Sequence, residues 1–123
     1  MNTRPLVSVV DDDESVRESL PELLKEFGFA AHAFSSAEEF LGSDEVSQTR
    51  CLILDIGMPG MTGPDLQCEL KFRRWRIPIV FVTAQRDELM RLRLLDQGAV
   101  ECLFKPLSDT ALLQAVKTAL KID

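Results

Sequence analysis

Five side chains in this sequence combine residue type and position in a way that suits phosphoryl chemistry: Asp11, Asp12, Asp55, Thr83 and Lys105. Each stands at or just after the end of a short apolar run. The first run leads into Asp11-Asp12-Asp13-Glu14, a later one ends in Asp55, another in Thr83, and the last in Lys105-Pro106. Carboxylates gathered in one place repel strongly unless a cation joins them, and hard oxygen ligands of this kind suit Mg²⁺. Mg²⁺ takes only one or two carboxylates directly and leaves positions open for phosphoryl oxygens. A carboxylate nucleophile such as Asp55 can then accept a phosphoryl group as an acyl phosphate, with Lys105 neutralising the oxygens and Thr83 donating a hydrogen bond. Taken singly, Asp55 reads as a turn residue, Thr83 as part of a strand and Lys105 as a surface charge; together they read as one site. Asp13 is expected to cap the following helix, a job for one side chain that leaves Asp11 and Asp12 better explained as ligands.

These residues need a scaffold that brings several strand ends together. Short runs rich in Val, Ile and Phe alternate with segments of helical period, the pattern of a parallel sheet covered by helices on both faces. The spacing predicts strands over Leu6–Val10, Ala30–Phe34, Cys51–Leu54, Ile79–Thr83 and Val100–Phe104. It predicts helices over Glu14–Phe27, Ala37–Leu41, Pro64–Arg73, Asp87–Gln97 and Asp109–Leu120. Ser36 with Glu39 is expected to form a capping box, and Pro64 to occupy a first helical position. Gly28 and Gly98 suit left-handed helix stops. Pro21, inside the first helix, cannot donate to the Arg17 carbonyl and predicts a kink or early break. In a doubly wound sheet, ligands bind outside the carboxyl ends of the strands, which is where the five residues fall.

Composition narrows the function. The 123 residues fit one domain, residues 1–123, and a 46% hydrophobic share allows a real core. No run reaches the roughly 18 apolar residues a membrane span requires, and MNTRP lacks the apolar core of a signal peptide, so a cytoplasmic location is expected. A net charge of −6 argues against nucleic-acid binding by this chain itself. Cys51, Cys68 and Cys102 sit in apolar segments, are odd in number and form no CxxC, so all three are expected to be buried thiols.

With these residues placed, the sequence resembles the response-regulator receiver family of two-component systems over essentially its whole length. Val9-Val10-Asp11-Asp12-Asp13-Glu14-Ser15-Val16-Arg17 resembles the family's first acidic motif. Leu52-Ile53-Leu54-Asp55-Ile56-Gly57-Met58-Pro59-Gly60-Met61-Thr62-Gly63 resembles its phosphoacceptor motif, and Val82-Thr83-Ala84 and Phe104-Lys105-Pro106 resemble its Thr-Ala and Lys-Pro elements. Gln67-Cys68-Glu69-Leu70 and Gly98-Ala99-Val100-Glu101-Cys102-Leu103 are similar to FixJ-like receivers, which usually precede a LuxR-type helix-turn-helix that these residues do not contain.

The resemblance implies a flavodoxin-like (βα)5 fold with strand order 2-1-3-4-5. It implies Asp55 as the phosphorylation site, Asp12 and Asp55 as direct Mg²⁺ ligands, Asp11 as a ligand mainly through water, and the Gly57 carbonyl as a further ligand. Lys105 would bind the phosphoryl group, its bond to Pro106 being commonly cis in the family, and Thr83 would be the switch hydroxyl. A sensor histidine kinase is the implied phosphodonor; the domain would be a signalling element rather than an enzyme, contacting DNA only through a following domain. One departure stands out. Cys102 occupies the switch position where the family commonly has Tyr or Phe, and Phe104, of the same strand parity, is the candidate substitute. Side chains at positions 57 and 85, here Gly57 and Gln85, tune water access in this family.

Two other aspartyl-phosphate or phosphate-binding classes fit less well. A haloacid-dehalogenase-like enzyme needs a second Asp two residues after the first, where Gly57 stands, and a flavodoxin-like FMN site would be repelled by Asp11-Asp12-Asp13. A pseudo-receiver that binds partners without phosphorylation is the third alternative. Leu89, Met90, Leu92, Leu94 and Leu95 exceed one buried stripe, so some are expected to face outward as a phosphorylation-controlled dimer face of the fourth helix and fifth strand. Arg73-Arg74-Trp75-Arg76 is expected to complement a helix C-terminus, and His32 is too isolated for a metal or catalytic role.

Overall fold

The computed structural model describes residues 4–122; the first three residues and Asp123 lie outside the described part. Five parallel strands, β1 (Leu6–Val10), β2 (Ala30–Phe34), β3 (Thr49–Asp55), β4 (Ile79–Thr83) and β5 (Glu101–Phe104), form one sheet in the order β2-β1-β3-β4-β5. The helices are α1 (Glu14–Glu26), α2 (Ala37–Leu41), α3 (Gly63–Phe72), α4 (Glu88–Asp96) and α5 (Asp109–Leu120), with a short 3-10 turn at Val46–Gln48. The expected order 2-1-3-4-5 is the one observed.

Alternation along the strands divides the core in two. Val10, Leu52, Leu54, Phe81 and Cys102 point to the face covered by α2, α3 and α4, where Phe40, Leu66, Leu70 and Leu94 pack. Val7, Val9, Cys51, Ile53, Val80 and Val82 point to the other face and meet Leu20 and Leu24 of α1 and Leu112, Ala115 and Val116 of α5. Burial on both faces explains why the central strands read as continuous apolar runs. Each fully buried Leu, Ile, Val or Phe contributes about 1.5–3 kcal/mol.

Several boundaries differ from the sequence expectation for local reasons. Strand β3 begins at Thr49, because the Thr49 hydroxyl pairs with Ser8 at 2.7 Å and donates to the Glu45 carbonyl at 2.7 Å, satisfying a polar residue inside the sheet. Helix α1 runs unbroken through Pro21, which is buried against the sheet. Helix α3 starts at Gly63, so Pro64 is its second residue, and its reciprocal capping box is Thr62 with Asp65. At α2, Ser36 accepts from the Glu39 amide as expected, but Glu39 reaches back to the Ser35 amide. Cys68 is exposed on α3, and Gln67 is the buried neighbour, which corrects the expectation of three buried thiols.

Gly28 and Gly98 stop α1 and α4 with φ of +98° and +105°. The same stop ends α3 and α5, yet there the left-handed residues are Arg74 and Lys121, with φ of +60° and +59°.

Candidate functional site

The sheet order reverses at β1, which pairs with β2 on one side and β3 on the other. A crevice therefore opens beyond the carboxyl ends of β1 and β3, the usual ligand position in such a sheet. Asp11 follows β1 with its amide bonded to the Phe34 carbonyl at 3.1 Å, and Asp55 is the last residue of β3. Asp13 caps α1 by accepting from the Ser15 amide at 2.9 Å, as expected. Its own amide donates to Asp11 Oδ1 at 2.9 Å, fixing that carboxylate.

Asp11, Asp12 and Asp55 each offer an oxygen within 4.8 Å of the others. Asp11 and Asp55 are buried and Asp12 is exposed, so the cluster opens to solvent on one side. Lys105 reaches in from the end of β5, placing Nζ 3.0 Å from Asp11 Oδ2 and 3.8 Å from Asp55 Oδ1. The Lys105–Pro106 peptide bond is cis, and the Lys105 amide donates to the Thr83 carbonyl at 2.7 Å. Thr83, buried at the end of β4, accepts from the Gln85 amide at 3.1 Å through its hydroxyl, leaving that hydroxyl's own proton available to donate. The backbone thus brings Asp11, Asp12, Asp55 and Lys105 together and sets Thr83 at the adjoining strand end.

Burial, reinforced by the Asp11 and Asp12 charges, pushes the Asp55 carboxyl up to about 6 despite the opposing pull of Lys105. For Lys105, burial works against the ammonium, but the Asp11 hydrogen bond and the surrounding carboxylates outweigh it and raise its pKa. One ammonium among three carboxylates leaves net negative charge in a partly buried crevice. A divalent cation with hard oxygen preference fits that donor set, and the three acids are the residues to hold it. Gly57 lies on the exposed loop after β3, where a Cβ would meet nothing within 4 Å.

The loop from Ile56 to Thr62 is held by contacts that sequence reasoning did not single out. Glu38 of α2 accepts from the Met61 amide at 3.2 Å, and Gly63 donates to the Ile56 carbonyl at 3.0 Å. Arg17 of α1 donates to the Asp11 carbonyl at 3.0 Å. Arg17 lies within the quoted acidic motif, but Glu38 belongs to no motif and has no sequence signal beyond its position in α2.

Cys102 is in the apolar core, in register with Phe81 and 2% exposed. Burial pushes its thiol up to about 11. Phe104 is half-buried, in register with Thr83, and carries the Arg86 guanidinium over its ring at 5.6 Å. On α4, Leu94 is buried while Leu89 and Leu92 are 70% and 52% exposed, so part of that helix does face outward. Arg91 ties α4 to β5 through Glu101 at 3.1 Å while bonding Glu88 at 2.8 Å. No described helix is long and apolar enough to cross a membrane.

A family model described as the response regulator receiver domain matches residues 7–117. Nodulation protein W of Bradyrhizobium diazoefficiens is 43% identical over 122 residues, covering 99% of this chain and 54% of that protein. The transcriptional regulatory protein FixJ of Azorhizobium caulinodans is 35% identical over 114 residues, covering 93% of this chain and 54% of that one. A crystal structure of FixJ-N superposes with a TM-score of 0.85 at 34% identity, covering 98% of this chain and 96% of that structure. The chain spans about half the length of these two relatives.

Proposed function

Since the chain belongs to the response-regulator receiver family, we propose that Asp55 accepts a phosphoryl group from a sensor histidine kinase in a Mg²⁺-dependent reaction. The observation that carries this reading is the single crevice in which Asp11, Asp12 and Asp55 gather within 4.8 Å while Lys105 stands 3.8 Å from Asp55. An Asp55 carboxylate oxygen attacks phosphorus, the bond from phosphorus to the donor's imidazole nitrogen breaks, and the electron pair leaves with the imidazole. Lys105 neutralises phosphoryl oxygens as charge builds, and Thr83 donates its hydroxyl proton to one of them. When bound, Mg²⁺ offsets the carboxylate charge and lets Asp55 react as the anion; Asp11, Asp12, Asp55 and the Gly57 carbonyl would hold it.

The domain, residues 1–123, acts as a cytoplasmic signalling switch that assists its own phosphorylation and dephosphorylation rather than as an enzyme turning over a separate substrate. Its output runs through the face of α4, β5 and α5, where exposed Leu89 and Leu92 lie, and controls homodimerisation. The FixJ relative is a transcriptional regulatory protein, so the output read here is transcriptional, with DNA contacted by a following domain and not by this acidic chain. Cys102 leaves the switch hydroxyl Thr83 without the family's ring, and Phe104 with Arg86 takes that place.

The test is incubation with Mg²⁺ and a small phosphodonor. A hydroxylamine-labile adduct on the wild type that is absent from Asp55→Asn supports the assignment. No adduct on the wild type, or an adduct persisting in Asp55→Asn, rejects it.

A further inference from the structure

At the opposite end of the sheet from Asp55, the C-termini of α3, α4 and α5 surround a groove of about 690 Å³ floored by Leu70, Ile79 and Val100. Its rim holds Lys71, Arg74, Arg76 and Lys121, and no acidic residue lines it among those described, although the chain as a whole carries −6. Cations at helix C-termini offset the macrodipole, but three ends supply only about half a negative charge each, so four full cations leave the groove positive. None of the four is ion-paired among the described residues; Lys71 bonds only the neutral amide of Gln97, at 3.3 Å.

Two observations go beyond charge. Gln67 is 95% buried beside the groove, and its amide has no hydrogen-bond partner among the described residues. No enclosed polar side-chain atom among the described residues is left unpaired, so that amide opens on the groove. Arg74 and Lys121 are the non-glycine residues with positive φ among those described, at positions where glycine is the easier occupant, and both line this groove. Trp75 stands at the rim, 40% exposed, with the Arg73 guanidinium 5.0 Å from its ring.

We propose that this groove binds a small organic phosphate with a flat apolar body, of the nucleoside phosphate class. The indole and the aliphatic floor take the ring, the Gln67 amide meets a polar edge of it, and Arg74, Lys71 and Lys121 hold the phosphate. Concavity of this size fits a small molecule rather than a flat protein or polymer interface. The proposal is independent of the chemistry at Asp55.

Trp75 is the single tryptophan of the chain, so its emission reports this groove directly. Titration of the protein with adenosine monophosphate at low ionic strength is expected to give a saturable emission change with Kd of about 1 mM or below. Asp55→Asn is expected to titrate like the wild type. Arg74→Gly, which removes the cation while easing the backbone, and Gln67→Leu are each expected to weaken binding about ten-fold. For Arg74→Gly this must come with no drop in melting temperature. No saturable change up to about 10 mM, or unchanged affinity in Arg74→Gly, overturns the proposal. So does an equal response to inorganic phosphate, which would mean an adventitious ion only, or a response to polyglutamate without one to the nucleotide.

Discussion

The Lys105 ammonium lies 3.0 Å from Asp11 Oδ2, nearer than the 3.8 Å that separates it from Asp55 Oδ1. Without a metal, Lys105 therefore acts first as the counter-charge of Asp11, which is almost wholly buried, and Asp55 is the less satisfied partner. Lys105→Ala leaves Asp11 charged, buried and beside two further acids. Breaking one side of such a pair is expected to lower unfolding free energy by about 3 kcal/mol in metal-free buffer. Urea denaturation with and without Mg²⁺ checks this; added Mg²⁺ should recover part of the loss, and equal stability of variant and wild type without metal would refute the pairing.

The raised Asp55 carboxyl gives a pH dependence of definite sign. Its value in the fold, about 6, exceeds the ordinary 3.8. Such a group stabilises the fold fully below its unfolded value and loses that contribution as pH rises through the folded one. Metal-free wild type should thus lose stability between pH 4 and 6 through this group, by about 1–2 kcal/mol after allowing for solvent screening. Asp55→Asn, which cannot ionise, should melt roughly 3–8 °C higher than wild type at pH 7.5. The gap should close below pH 4.5 and shrink with Mg²⁺; a gap that is the same at both pH values contradicts the assignment.

Gly57 in the β3–α3 loop and Gly63 at the start of α3 should respond differently to alanine. A Cβ on Gly63 would collide with the Asp55 carbonyl oxygen and stand 3.1 Å from Phe81, whereas one on Gly57 meets nothing within 4 Å. Gly63→Ala should cost more than about 3 kcal/mol, since backbone and a buried ring must both move. Gly57→Ala should stay within about 0.5 kcal/mol. Chemical denaturation measures both, and phosphodonor labelling of Gly57→Ala separates an effect on phosphoryl lifetime from an effect on folding.

How much of this was legible in advance follows from where each signal resides. The acidic run, Asp55, Thr83 and Lys105 stand at strand ends, so the hydrophobic period that locates the strands also locates the site. Asp12 differs from Asp11 in its exposure and in lacking the bonds that Asp11 makes to Lys105 and the Asp13 amide, which depend on the folded turn. Thr49 was hidden in a polar stretch because its strand position depends on Ser8, 41 residues away. Pro21 suggested a kink or an early break; the break does not occur, and the buried ring sits inside a continuous α1. Glu38 was invisible because its role is a contact with a loop 23 residues later.

The cysteines provide the last test, because Cys51 and Cys102 are buried while Cys68 is exposed. Cys102 sits opposite Phe81 in the core, its thiol pushed up to about 11, and Cys51 is wholly buried with its thiol pushed up to about 12. Cys68 is exposed on α3. The thiolate is the reactive form, so a disulfide reagent at pH 8 should modify Cys68 rapidly in the native protein and the other two only on unfolding. Counting fast thiols with and without urea checks this, and Cys68→Ser should abolish the native reaction. If Cys102 reacted rapidly in the native state, its place beside Phe81 would be open to solvent, contradicting its burial. If it stays protected, Cys102→Tyr should lose about 1–3 kcal/mol by overpacking. A ring at position 102 would then be disfavoured by the same packed core that makes cysteine fit.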